Sequence, residues 1–130
     1  MRPAKHSDIG YFVRAGREFC AFTPFQFDAP SYAEAIHALL DDPNVIAIVG
    51  DECHCVARLA PNFYNAGEVV ARIISTWGKG GLECFREVER LCTERGARFI
   101  MADSWIEPRI ERFYERQGMT RMDSVFIKEL

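Results

Sequence analysis

Apolar residues recur along this chain with two periods, and the changes of period mark its elements. "NVIAIVG" (Asn44–Gly50) is a short β-branched run of the kind that builds a buried strand. "CHCVARLAP" (Cys53–Pro61) returns after the tight turn Asp51-Glu52, and "EVVARIISTW" (Glu68–Trp77) returns again after the turn "NFYNAG". Three strands with such short connections predict an antiparallel meander. "ARFIMAD" (Ala97–Asp103) and the alternating "SVFIKEL" (Ser124–Leu130) read as later strands, and Arg2–Lys5 as a short edge strand.

Between them the period lengthens to that of a helix. Ser7-Asp8 offers an N-cap to a helix from Ile9 to about Cys20, with Phe12, Val13 and Phe19 on its apolar side. Ser31–Leu40 carries Ser31 and Glu34 at capping-box spacing, ahead of Ile36, Leu39 and Leu40. From Leu82 to Arg95, Phe85, Val88, Leu91 and Cys92 share a face, and Gly96 sits where a C′ glycine belongs. Pro108 opens a last helix whose Ile110, Phe113 and Tyr114 share a face, closed by Gly118. The order β-α-α-β-β-β-α-β-α-β predicts an α+β (mixed α/β) domain spanning residues 1–130. Its mixed sheet has about six strands flanked by about four helices. The strands on either side of the third helix should lie parallel, because a crossover joins them.

Composition narrows the functional classes. A formal net charge of −3 argues against a nucleic-acid binder, which needs a basic face to displace counterions. No apolar run approaches the ~20 residues that span a bilayer, and the N-terminus lacks the apolar core of a signal peptide. The five cysteines, odd in number and irregularly spaced, fit a reducing compartment, with the cytoplasm as the expectation. "CHC" (Cys53–Cys55) invites a zinc reading, but strand alternation sends His54 away from both sulfurs, so no metal is expected.

One stretch is unusual. "WGKGG" places Gly78, Gly80 and Gly81 around Lys79, directly between a strand and a helix. Such a turn can be a plain tight connection. It can also hold an anion, because backbone N–H groups and the helix dipole converge there and glycine lets a ligand approach the backbone. Neither a Walker motif nor a dinucleotide fingerprint fits these residues.

The order of elements, "WGKGG" before "LECFREVERLCTERGA", and "IERFYERQGM" near the C-terminus together resemble the GNAT-type N-acyltransferases. The resemblance covers nearly the whole chain and is nearest to the small single-domain members. It implies a domain that transfers an acetyl group from acetyl-CoA to an amine-bearing acceptor, with the coenzyme in a gap between Glu68–Trp77 and Ala97–Asp103. By the same resemblance, Ser75, Thr76 and Trp77 would pair with the pantetheine arm, and Lys79, Gly80, Gly81 and Leu82 would meet the pyrophosphate. Tyr114 matches the tyrosine that protonates the departing thiolate; on its own pattern it equally suits core packing. The family's pyrophosphate loop begins with Arg or Gln, where this chain has a shortened loop and Lys79, and Glu107 stands in place of a frequent asparagine.

Other residues leave alternatives open. Glu68 is a candidate base acting through water, or a solvated strand-end carboxylate. His54 can reach a substrate groove or meet a cross-strand partner. Arg109 or Arg112 can meet the coenzyme's ribose phosphate or pair with neighbouring glutamates. The phenylalanine-rich loop with Phe22, Phe25, Phe27 and Tyr32 lies where the resemblance implies acceptor contacts, and equally suits a lid on the core or a homodimer surface. The shortened loop also admits a second reading, a catalytically inactive GNAT-fold module that binds a partner protein.

Overall fold

Alternation in the central strands sends one set of side chains to each face of a sheet, and here both sets are apolar. The computed structural model, which describes residues 1–104, 108–122 and 125–130, realises this as one five-stranded mixed sheet in the order β1-β2-β3-β4-β5. Strands β1 (Arg2–Pro3), β2 (Val45–Gly50), β3 (Cys53–Asn62) and β4 (Asn65–Trp77) pair antiparallel in succession. Strand β5 (Ala97–Met101) pairs parallel with β4, as expected for a strand reached through a helix. The helices are α1 (Ile9–Cys20), α2 (Ala29–Asp41), α3 (Gly81–Glu94) and α4 (Pro108–Arg116).

The helices divide between the two faces. Ile48, Cys55, Ala57 and Ile73 pack with Phe85 and Val88 of α3 and with Tyr114 of α4. Val49 and Val56 pack with Phe12 of α1 and Ile36 of α2 on the other side. Phe12, Phe85 and Val88 are fully buried. Each such side chain contributes about 1.5–3 kcal/mol over an exposed one. Away from the sheet, His6 Nε2 meets Asp41 at 2.8 Å and stacks on His37, which ties the N-terminal turn to the end of α2.

Several expectations are corrected. The sheet has five strands, because residues 125–130 join no strand and expose Val125, Phe126 and Ile127; Ser124, the expected start, lies outside the described residues. Alternating residues make a strand only where a free sheet edge accepts their backbone groups. Helix α2 begins two residues before Ser31, since Asp28 is its N-cap and accepts the Ser31 N–H at 3.1 Å. Pro30 fits that first turn, where its missing N–H costs nothing. The β3–β4 hairpin is longer than expected, with Asn62 opposite Asn65, and the Asn62 side chain accepts the Tyr64 N–H within the turn.

Candidate functional site

The site begins with a break in alternation. Val56 pairs with Ser75 but Ala57 pairs with Ile73, so Ile74 is an extra residue on β4, a β-bulge. Ala71 and Ile73 face the α3 side, and strict alternation would send Ser75 there too. The bulge reverses the parity. Ser75 and Trp77 face α1, where Ser75 Oγ lies 2.7 Å from His54 Nε2 and Trp77 meets the Phe19 ring. Thr76 takes the α3 face, where its hydroxyl donates to Cys55 Sγ.

The pairing with β5 ends just before this bulge. Parallel partners run from Val69–Ala97 to Arg72–Met101 and stop there. Among the described residues, Ile73–Trp77 therefore have no strand partner on that side, and Asp103 forms an ion pair with Arg72 at 3.3 Å. The result is a gap in the pairing of the two parallel strands along Ile73–Trp77, among the described residues.

The glycine stretch closes one end of that gap. Gly78 has φ +88°, and a Cβ there would lie 2.2 Å from the Glu52 carbonyl oxygen. A Cβ on Gly80 would lie 2.5 Å from Cys53 Sγ. Close packing over the β2–β3 turn is therefore sufficient reason for these two glycines. In the first turn of α3, the Gly81 N–H donates to the Gly78 carbonyl at 3.0 Å. The N–H groups of Lys79, Gly80 and Leu82 donate to no described group and gather at the positive end of the helix.

Tyr114 stands on the α3 side of this gap. It is 9% exposed and packs against Phe85 and Phe113, with the Thr76 side chain close to its phenol. Burial pushes its phenol up to about 12. The structure thus brings Tyr114 beside the Ser75–Trp77 segment. The core packing that its own pattern suits is what the structure shows.

On the opposite side lies a cavity of about 440 Å³, between α1, the α1–α2 loop and the ends of β3 and β4. Its walls include Phe19, Phe25, Phe27, Tyr32 and Trp77, and its floor is His54 and Ser75. Phe22, expected with this group, points away and is 82% exposed. His54 is 1% exposed and held from both sides, since Tyr11 Oη lies 2.9 Å from its Nδ1. Burial pushes its imidazole down to about 4, so the ring is neutral at neutral pH. The position of His54, opposite its flanking cysteines, was legible in the alternation. Its partners Tyr11 and Ser75 were not, because one comes from a distant helix and the other from the bulge.

Other candidates fall away from this centre. Glu68 accepts from Arg98 at 3.0 Å and from Asn62 at 3.3 Å, roughly 23 Å along β4 from Ser75 at ~3.3 Å per residue. Cys53 and Cys84 lie 3.6 Å apart on the α3 face, with His54 on the other face. Arg109 and Arg112 are exposed on α4, and Glu107 lies outside the described residues.

The architecture is the GNAT-type acetyltransferase fold. An acetyltransferase of Trypanosoma brucei has a TM-score of 0.73 to this chain, covering 99% of it and 97% of its own chain at 15% identity. An aminoglycoside acetyltransferase from an uncultured soil metagenomic sample has a TM-score of 0.71, covering 99% and 93% at 16% identity. A Bacillus halodurans protein described as a transcriptional regulator has a TM-score of 0.77, covering 99% and 97% at 20% identity. No family model matches the sequence, and no curated protein matches it in sequence either. Among the described residues, no helix is long and apolar enough to cross a membrane.

Proposed function

We propose that this chain is an N-acetyltransferase, moving an acetyl group from acetyl-CoA to the amine of an acceptor. The observation that carries the reading is the unpaired edge of β4 from Ile73 to Trp77, lying between Tyr114 on one face and the aromatic cavity on the other. An extended amide chain such as pantetheine can add to that edge as a strand adds to a sheet, through Ser75, Thr76 and Trp77. The free N–H groups of Lys79, Gly80 and Leu82, with Gly81 between them and the Lys79 ammonium, suit a pyrophosphate.

The chemistry follows from that placement. The amine nitrogen attacks the thioester carbonyl, the C–S bond breaks, and the sulfur leaves as a thiolate that must gain a proton. Tyr114 keeps its proton at neutral pH, because burial holds its pKa high, and it is the donor we assign to the thiolate. The proton lost by the amine restores the balance, so the products are the N-acetyl amide and the free thiol.

A second reading has its own support: Gly78 and Gly80 are already required by packing against Glu52 and Cys53, so the loop needs no ligand to explain it. On that reading the domain is an inactive module that engages a partner, a second copy included. A melting curve with and without millimolar acetyl-CoA separates the two. At ~100 times the dissociation constant, a native-state ligand stabilises by about 2.7 kcal/mol. For this chain length that is a rise of roughly 8–13 °C. Lys79→Ala is expected to reduce the rise, and Tyr114→Phe to keep it while losing turnover. No rise in the wild type refutes the transferase reading.

A further inference from the structure

We infer that the acceptor is a primary amine carried on an aromatic or branched apolar body, bound in the cavity beneath the α1–α2 loop. The inference rests on the transferase reading for its chemistry but on the cavity alone for the binding. Phe19, Phe25, Phe27, Tyr32 and Trp77 supply ring faces and edges, an environment that favours burial of an apolar body and sets its orientation by edge-to-face contact.

Charge selects the amine end. Among the residues lining the cavity Asp28 is the only one with a formal charge; the Arg17 guanidinium lies outside that lining, 5.5 Å from the centroid of the Phe27 ring. Both contacts from Ser31 go to Asp28 Oδ2, which leaves Oδ1 without a partner among the described residues. The carboxylate is exposed and its pKa is lowered by the hydrogen bonds from Ser31, so it is ionised when an ammonium arrives. A single carboxylate suits one ammonium group. A polyamine or an aminoglycoside brings several, and an apolar wall would desolvate the rest without compensation.

The floor of the cavity is neutral and hydrogen-bonding. Ser75 is fixed by His54, and His54 by Tyr11, so the hydroxyl presents a set geometry to a small polar head. Ser75 also belongs to the β4 segment with the unpaired edge, so the floor of the cavity borders the segment that holds the coenzyme in the proposed complex. The width of the cavity depends on Gly16. A Cβ there would lie 2.5 Å from the Tyr32 ring, so alanine must push that ring out of its place on α1.

The test compares phenethylamine with spermidine and kanamycin. Turnover is read as free thiol released from acetyl-CoA, and binding as the change in tryptophan fluorescence on titration with each amine alone. Phenethylamine is expected to show at least ~10-fold higher kcat/KM than either polycation, in keeping with what a few apolar contacts can discriminate. Gly16→Ala is expected to raise KM for phenethylamine at least 5-fold, about one kcal/mol of lost binding, with KM for acetyl-CoA unchanged. Should that variant fold poorly, Phe27→Ala at the cavity wall tests the same contact. Saturable fluorescence change with phenethylamine, abolished by Trp77→Phe, supports the inference even where no amine is acetylated, and then the transferase reading alone falls. Equal or faster turnover of spermidine or kanamycin overturns the inference and leaves the transferase reading standing. Absence of both binding and turnover with phenethylamine overturns it as well.

Discussion

Gly78→Ala measures how much of the glycine loop is needed by the fold itself. At φ +88° an alanine costs about 1–2 kcal/mol in backbone strain, of which about 0.4–1 kcal/mol is returned by the stiffer unfolded chain. Gly96, at φ +86°, carries that same strain but has nothing within 4 Å of a new Cβ. Gly96→Ala should therefore cost about 1 kcal/mol. At Gly78 the new methyl meets the Glu52 carbonyl at 2.2 Å and Cys53 Cα at 2.8 Å, both backbone atoms that cannot swing aside. Overpacking of that kind adds about 1–3 kcal/mol, for a total of roughly 2–4 kcal/mol. Scaled to this chain, Tm should fall by roughly 8–16 °C for Gly78→Ala and by about 3–5 °C for Gly96→Ala. Thermal unfolding followed by circular dichroism, with no coenzyme present, reads both. Equal losses at the two positions would refute the packing explanation and leave ligand approach as the reason for Gly78.

Three further outcomes are expected. Tyr114→Phe removes a hydroxyl without changing the packed ring; stability should change by about 1 kcal/mol, while acetyl transfer falls by roughly 10²-fold or more, read by thiol release. His54 is depressed to about 4 from an ordinary 6.5, so its contribution is complete above pH 6.5 and is lost as pH falls towards 4. The loss approaches roughly 3 kcal/mol and should flatten in His54→Gln, measured by urea unfolding across that range. Thiol titration of the native chain should find Cys20 reacting quickly, because it alone of the cysteines is partly exposed. Cys55 and Cys84, whose burial pushes them up to about 12, and Cys92, pushed up to about 11, should react only after denaturant is added.

What the sequence determined by itself was local. Helix α1 runs from Ile9 to Cys20 as its apolar spacing required, and Gly96 and Gly118 take positive φ beyond the ends of α3 and α4. The meander and the parallel return of β5 followed from connection lengths, which limit how a chain can close on itself. The helix that carries Tyr114 was legible because helical period and turn chemistry are read over a few residues. Tertiary structure decided everything that depended on register. The bulge at Ile74 turned Ser75 toward His54, and no local pattern announces where one strand will carry an extra residue. That packing alone requires Gly78 and Gly80 was not legible either, because the Glu52 and Cys53 atoms that lie 2.2 and 2.5 Å from their missing side chains come from the β2–β3 turn. The alternation of residues 125–130 was read as a strand, yet strand formation needs a neighbour's backbone groups, and none pairs with them here. Short-range sterics are written in the order of residues; the pairing of distant backbones is settled only when the chain has chosen which edges meet.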